Sequence, residues 1–237
     1  MIGENFVEFL DSRDVLEEED LHYLPVLSRG IKALENCYSI FNSPDYRTKT
    51  GSWKKELISG DASVHSTQIE HGKLFSLKYK LPISLQQYIT YDWDGVEHIT
   101  KWNPDVEFAR RLKILTKNAD IVHYANKAIL MVSARDYVSI RVRRITQDGV
   151  VYTSGFSIDD LPDMPPEEGR VRGVLHVSGG RFQQNPSDLK STVIELIICI
   201  DARGNIPKAL INSQMPKQLC KETEKIKRIF AENRHIF

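Results

Sequence analysis

From Ser133 to Asp159 the chain reads SARDYVSIRVRRITQDGVVYTSGFSID. Apolar and polar side chains alternate here. Val138, Ile140 and Val142 therefore share one face of a strand, and Tyr137, Ser139, Arg141 and Arg143 the other. Asp148-Gly149 is a tight-turn dipeptide, and VVYTSGFSID supplies the returning strand. A period near two also runs through SWKKELIS, ASVHSTQIE and KLFSLKYKLPI, the last two joined at His71-Gly72. After Pro104, VEFARRLKILTK and ADIVHYAN pair across Asn118, and RVRGVLHVSGGRFQQ and STVIELIICID are joined by NPSDL. The glycines of SGGR, between strand residues, read as a bulge or flexible bend.

Toward both ends the period lengthens. The first ~40 residues read as helical, with Leu24, Leu27, Ile31, Leu34 and Tyr38 on one face until NSPDYRTKTGS breaks the pattern. Ser84 and Gln87 have the spacing of a capping box for a short helix, SLQQYITYDW. A second short helix, GVEHITKW, ends at Pro104. In the last segment Met215, Leu219, Ile226 and Phe230 form an apolar stripe, with Lys and Glu on the outer face. Pro216 leaves two options, one kinked helix or a short turn followed by a fresh start. The order predicts an α+β fold, a curved antiparallel nine-stranded sheet around a long C-terminal helix, with a hollow between. No repeat or low-complexity linker divides it, so residues 21–237 are expected to form one domain after an acidic lead-in, 1–20.

The 237 residues carry 32 Lys plus Arg against 32 Asp plus Glu, which argues against nucleic acid as the main partner. Cys37, Cys199 and Cys220 do not suggest a disulfide framework, and Cys199 lies in the apolar run VIELIICI. The expected location is cytoplasmic: no run reaches membrane-spanning length, and the acidic N-terminus fits neither a secretory signal nor a mitochondrial presequence. There is no nucleophile elbow, phosphate loop or dinucleotide fingerprint. The histidines have no metal-ligand spacing, and His123 and His176 read as hydrogen-bonded core or cavity residues. DDLPDMPPEEG reads as a solvated acidic loop. No catalytic group, metal or cofactor is therefore expected, and a binding module is favoured.

Five stretches, in order, carry a resemblance: WNPDV (Trp102 to Val106), SARDYVSIR (Ser133 to Arg141), YTSGFSID, VRGVLHVSGGRF (Val171 to Phe182) and IDARGNIPKALIN (Ile200 to Asn212). Together they resemble the START family of lipid-transfer domains, with Ala134 where the family usually has Pro. The resemblance covers roughly Leu21 to Phe230 and is nearest to the stand-alone sterol-type members. It implies a helix-grip fold with an internal lipid tunnel, and a non-enzymatic, monomeric carrier. The carrier would hold one lipid, sterol first and phospholipid or sphingolipid as the alternative, and would touch membranes transiently. The residues it nominates for lipid binding are Arg141, Tyr124, Ser139, Asn126, Tyr137, His176, Ser154, Leu210 and Met215. Ile129, Leu130, Met131 and Val132 would form a lid that touches membrane, with Lys127 at its edge favouring anionic headgroups.

In sterol-binding members an acidic residue on the preceding strand partners the arginine matched by Arg141. Its place here falls at or near Tyr124, with no carboxylate after Asp120. The partner is then expected to be the Tyr124 hydroxyl, Asn126, water or an anionic headgroup, which favours a phospholipid. Arg143 and Arg144 are expected at the surface. The rival functions are a helix-grip enzyme using His123 or His176, and a lipid-gated interaction module.

Overall fold

The computed structural model describes residues 1–128, 133–161 and 169–232. The chain opens with a hairpin of β1 (Phe6–Phe9) and β2 (Ser12–Val15), then α1 (Leu24–Asn42) and the short α2 (Pro44–Thr48). Strands β3 (Lys54–Ser59), β4 (Ala62–Ile69) and β5 (Gly72–Leu81) follow. Next come α3 (Leu85–Ile89), a π turn over Thr90–Asp94 and a 3-10 segment over Val96–Lys101. The second run of strands is β6 (Val106–Thr116), β7 (Ala119–Asn126), β8 (Arg135–Ile145), β9 (Val151–Ser157), the two-residue β10 (Val171–Arg172), β11 (Val174–Gln184) and β12 (Thr192–Asp201). Helix α4 (Lys208–Glu232) is last.

The main sheet is open, in the order β3-β4-β5-β12-β11-β9-β8-β7-β6, with β10 parallel to β8 off this path. Turn chemistry accounts for its hairpins. Gly149 and Gly72 hold φ of 78° and 137°, where a side chain would be strained. Ser84 and Gln87 close the expected capping box on α3.

Each face of the sheet has its own core. On the outer face Leu27, Ile31, Leu34, Cys37 and Phe41 of α1 pack on Val138, Ile140, Val142, Val177 and Ile197. The approach is close because Gly30 has no side chain. A Cβ there would stand 2.7 Å from both Ile140 Cγ1 and Val142 Cγ2. Gly30→Ala is therefore expected to cost about 1–3 kcal/mol by overpacking. A urea midpoint unchanged from the wild type would contradict that packing. On the inner face Cys220, Ile226 and Phe230 of α4 pack on Val64, Phe75, Leu77, Tyr79 and Ile194.

Three sequence expectations are corrected. The N-terminal stretch is not all helix, since residues 6–15 form a hairpin. Its turn is made by Leu10 and Asp11, at φ of 53° and 55°, with no glycine to announce it. That hairpin packs into the outer core through Val7, and it buries Arg144, which is not at the surface. Finally, of the two options for the last segment α4 takes the single helix, with Pro216 buried inside it, but one expectation for it fails. Its glutamates do not all face outward, because Glu222 points to the inner side.

Candidate functional site

On the inner face, α4 lies over β3, β4 and β5, and the 3-10 segment lies over β6. Between these two covers several inward side chains are incompletely covered. Leu196 and Ile198 point inward from β12, in the middle of the sheet, yet both keep accessible surface. So do Met215 and Leu219, which face them from α4. Asp92, Tyr124 and Glu222 also lie deep in the protein without being fully covered. Accessible surface at that depth is the sign of a hollow, here with apolar walls and a few polar groups, the usual composition of a lipid site.

Alternation along β8 puts Tyr137, Ser139 and Arg141 on this inner side, because Val138, Ile140 and Val142 face α1. Strand register places Asp120 directly opposite Arg141. Arg141 Nε donates to Asp120 Oδ1 at 2.9 Å and Nη2 to Oδ2 at 2.7 Å. The rest of the guanidinium donates to the carbonyls of Asp92 (3.1 Å) and Trp93 (3.2 Å), and it stacks over the Trp93 ring at 4.5 Å. Arg111 Nε reaches the same Asp120 Oδ2 at 2.9 Å. The expectation that Tyr124 or a headgroup must serve Arg141 is therefore corrected, since Asp120 is its carboxylate. Tyr124 instead stacks on Tyr137, with centroids 5.2 Å apart.

The other nominated residues divide. Ser139 is buried beneath the hollow and Asn126 lies on the inward register of β7. Ser154 is on the opposite face, where its hydroxyl donates to the Gly30 carbonyl of α1 at 3.3 Å. His176 stacks on His71 at the β4–β5 turn, with centroids 4.6 Å apart, and burial followed by the His71 charge lowers its pKa. Leu210 is 49% exposed on the first turn of α4. His123 is locked on the outer side, with Nε2 2.8 Å from Asp136 Oδ2, an oxygen that also accepts from Arg172. Lys127 Nζ donates to the Pro104 carbonyl at 2.7 Å. Ile129, Leu130, Met131 and Val132 lie outside the described residues.

Sequence reasoning missed two carboxyls. Glu222 sits at the spacing 215, 219, 222, 226, 230, inside the apolar stripe of α4, and Asn103 Nδ2 donates to its Oε1 at 2.6 Å. Burial, with Asp105 adding to it, pushes the Glu222 carboxyl above its ordinary pKa, against the Asn103 hydrogen bond and Lys225. Burial likewise raises Asp92, opposed by the Arg141 charge and the Tyr88 hydroxyl.

The sign of the resulting pH dependence follows from linkage. A carboxyl whose folded pKa is raised binds its proton more tightly when folded. Its charged form costs stability at neutral pH, and the cost is relieved as pH falls through the raised value. Glu222→Gln is therefore expected to melt higher than the wild type at pH ~7, with the gap closing toward the ordinary carboxylate range of about 4–4.5. Melting curves across that range check it, and a gap that widens on acidification would contradict the burial.

A family model described as the START domain matches residues 45–235. The chain belongs to the START domain family. It is 30% identical over 220 residues to the steroidogenic acute regulatory-like protein 1 of Caenorhabditis elegans, covering 93% of this chain and 85% of that one. It is 26% identical to the human mitochondrial steroidogenic acute regulatory protein, over 80% of this chain and 65% of that one. Human StAR-related lipid transfer protein 5 superposes with a TM-score of 0.77 at 19% identity, over 90% of this chain and all (100%) of that one. Human STARD10 superposes at 0.70 and 18% identity, over 96% and 82%.

Within this START domain the WNPDV stretch is the anchor of α4. Besides Asn103 on Glu222, Asp105 accepts from Lys225 Nζ at 2.5 Å and from Gln218 Nε2 at 3.2 Å. The other end of α4 is approached by the loop after β12. There Arg135 donates to the carbonyls of Ala202 (3.1 Å) and Arg203 (3.2 Å) and to that of Ser133 (2.5 Å). The RD motif thus ties the start of β8 to the chain that leads into α4.

Proposed function

We propose that this START domain carries one neutral lipid, a sterol first, in the hollow between α4 and the sheet, and exchanges it with membranes without chemical change. The observation that carries the choice of a neutral lipid is the pairing of Arg141 with Asp120. An arginine fork is a natural phosphate partner, but this one has four hydrogen bonds already made within the protein. Arg135 is similarly committed to backbone carbonyls. A phosphate would have to displace these contacts and would meet Asp92 and Glu222. The names of the relatives, steroidogenic acute regulatory proteins, fit the same reading.

The energetics favour a carrier. Each ~100 Å² of apolar lipid surface taken from water is worth about 2.5 kcal/mol, whereas one hydrogen bond nets about 1 kcal/mol. The walls set affinity and the polar groups set which headgroup is tolerated. Weighing against the enzyme reading, His123 is tied to Asp136 on the outer side and His176 is stacked on His71. Three buried, unpaired cysteines support a cytoplasmic location. No described helix is long and apolar enough to cross a membrane.

Vesicle exchange tests this reading. The protein is expected to speed transfer of fluorescent dehydroergosterol from donor to acceptor vesicles and to leave fluorescent phosphatidylserine in place. Acceleration of the anionic lipid alone would overturn the assignment.

A further inference from the structure

We propose that Glu222 and Tyr79 form a headgroup subsite for a lipid hydroxyl, in which the hydroxyl donates to the carboxylate and accepts from the phenol. This deepens the carrier reading and rests on it.

Four observations converge. Glu222 occupies a position of α4 between Leu219 and Ile226 that the packing pattern reserves for an apolar side chain, so it interrupts the contact surface of the helix. One of its oxygens is held by Asn103, which fixes the carboxyl in place and leaves the other oxygen as an acceptor. Its cationic neighbour, Lys225, is engaged by Asp105. Tyr79 supplies the independent sign of a ligand. The residue is only 4% exposed, points inward from β5 and lies within electrostatic reach of Glu222 and Asp92, yet among the described residues its hydroxyl has no hydrogen-bond partner. A ligand oxygen would give this hydroxyl the partner that the described residues do not. Tyr124, stacked on Tyr137, lies within electrostatic reach of Glu222 from the opposite wing of the sheet, and its hydroxyl is likewise without a hydrogen-bond partner among the described residues.

The chemistry of these groups selects the ligand. A hydroxyl both donates and accepts, so it satisfies carboxylate and phenol together. A methyl ether can only accept, which leaves Glu222 unserved. A phosphate or carboxylate would place an anion beside an anion. The bland alternative, a glutamate that merely helps to anchor α4 through Asn103, predicts no discrimination between a sterol and its ether.

Binding of dehydroergosterol and of its 3-O-methyl ether to the full chain separates these cases, with Glu222→Gln and Tyr79→Phe as variants. The amide introduced by E222Q keeps an oxygen for Asn103 but offers the ligand a donor. The wild type is expected to bind the free sterol about tenfold or more tighter than the ether, as befits a hydrogen bond to a charged group. E222Q is expected to lose most of that preference without melting lower, and Y79F to weaken sterol binding about fivefold. Equal binding of sterol and ether by the wild type, or full preference retained in E222Q, would overturn the subsite and leave the carrier standing. Tighter binding of octadecylamine than of the sterol would overturn the hydroxyl assignment. Binding of neither sterol nor ether by the wild type would overturn the carrier reading and the subsite with it.

Discussion

Arg144→Ala is expected to destabilise the protein by about 3–5 kcal/mol, although Arg144 is far from the hollow. Its side chain is completely buried and forms an ion pair with Asp14, which is also buried. Arg144 Nε donates to the Phe9 carbonyl at 3.0 Å and Nη1 to the Arg143 carbonyl at 2.8 Å. Asp14 Oδ1 accepts from Thr116 at 2.7 Å and Asn118 at 3.3 Å. The guanidinium therefore links the N-terminal hairpin, β8 and the β6–β7 turn. Removing it strands a buried carboxylate and takes one donor from each of two carbonyls. Replacing both members by leucine removes both charges and is expected to recover much of the loss. Urea unfolding of the two variants checks this. A single variant within ~1 kcal/mol of the wild type would mean that the hairpin does not depend on the pair.

Asp120→Ala is expected to act on stability and on specificity together. Asp120 is 3% exposed and is the shared carboxylate of Arg141 and Arg111. Without it two guanidiniums stand side by side against the Asp92, Trp93 and Asp94 carbonyls, with uncompensated positive charge beside the hollow. Breaking such a site costs about 3–5 kcal/mol. An anionic headgroup can now supply what the carboxylate did, so the variant is expected to acquire phosphatidic acid while its sterol binding falls. Should D120A not fold, D120N keeps the shape and removes the charge, with the same gain expected. Lipid extraction after incubation with mixed vesicles reads the outcome. A variant that folds and still refuses phosphatidic acid would contradict the view that Asp120 is what excludes phosphate.

These residues also mark where the sequence could be read and where it could not. Val138, Ile140 and Val142 face α1 as their alternation predicts, because a strand one face of which is buried leaves no freedom in side-chain direction. His71-Gly72 and Asp148-Gly149 announce their turns, because positive φ there favours glycine. The Leu10-Asp11 turn places ordinary residues in that region and so gave no signal.

The pairing of Asp120 with Arg141 depends on register between β7 and β8. The segment joining them is too long for turn chemistry to set that register. The place matched by resemblance falls at or near Tyr124, which shares a face of β7 with Asp120 but lies farther along the strand than the true partner. Ser154 and Arg144 were misplaced for a related reason. Each lies on the side covered by an element distant in sequence, α1 for Ser154 and the N-terminal hairpin for Arg144. Glu222 was legible, as the one charge within the stripe Met215, Leu219, Ile226, Phe230. A glutamate on an amphipathic helix is ordinarily at the surface, so the stripe alone does not single it out.

The most direct measurement is native mass spectrometry of the full chain after incubation with vesicles of mixed sterol, phosphatidylcholine and phosphatidylserine, with identification of the lipid released. The account predicts a single one-to-one adduct of sterol mass. A phospholipid adduct, or no adduct at all, would contradict it.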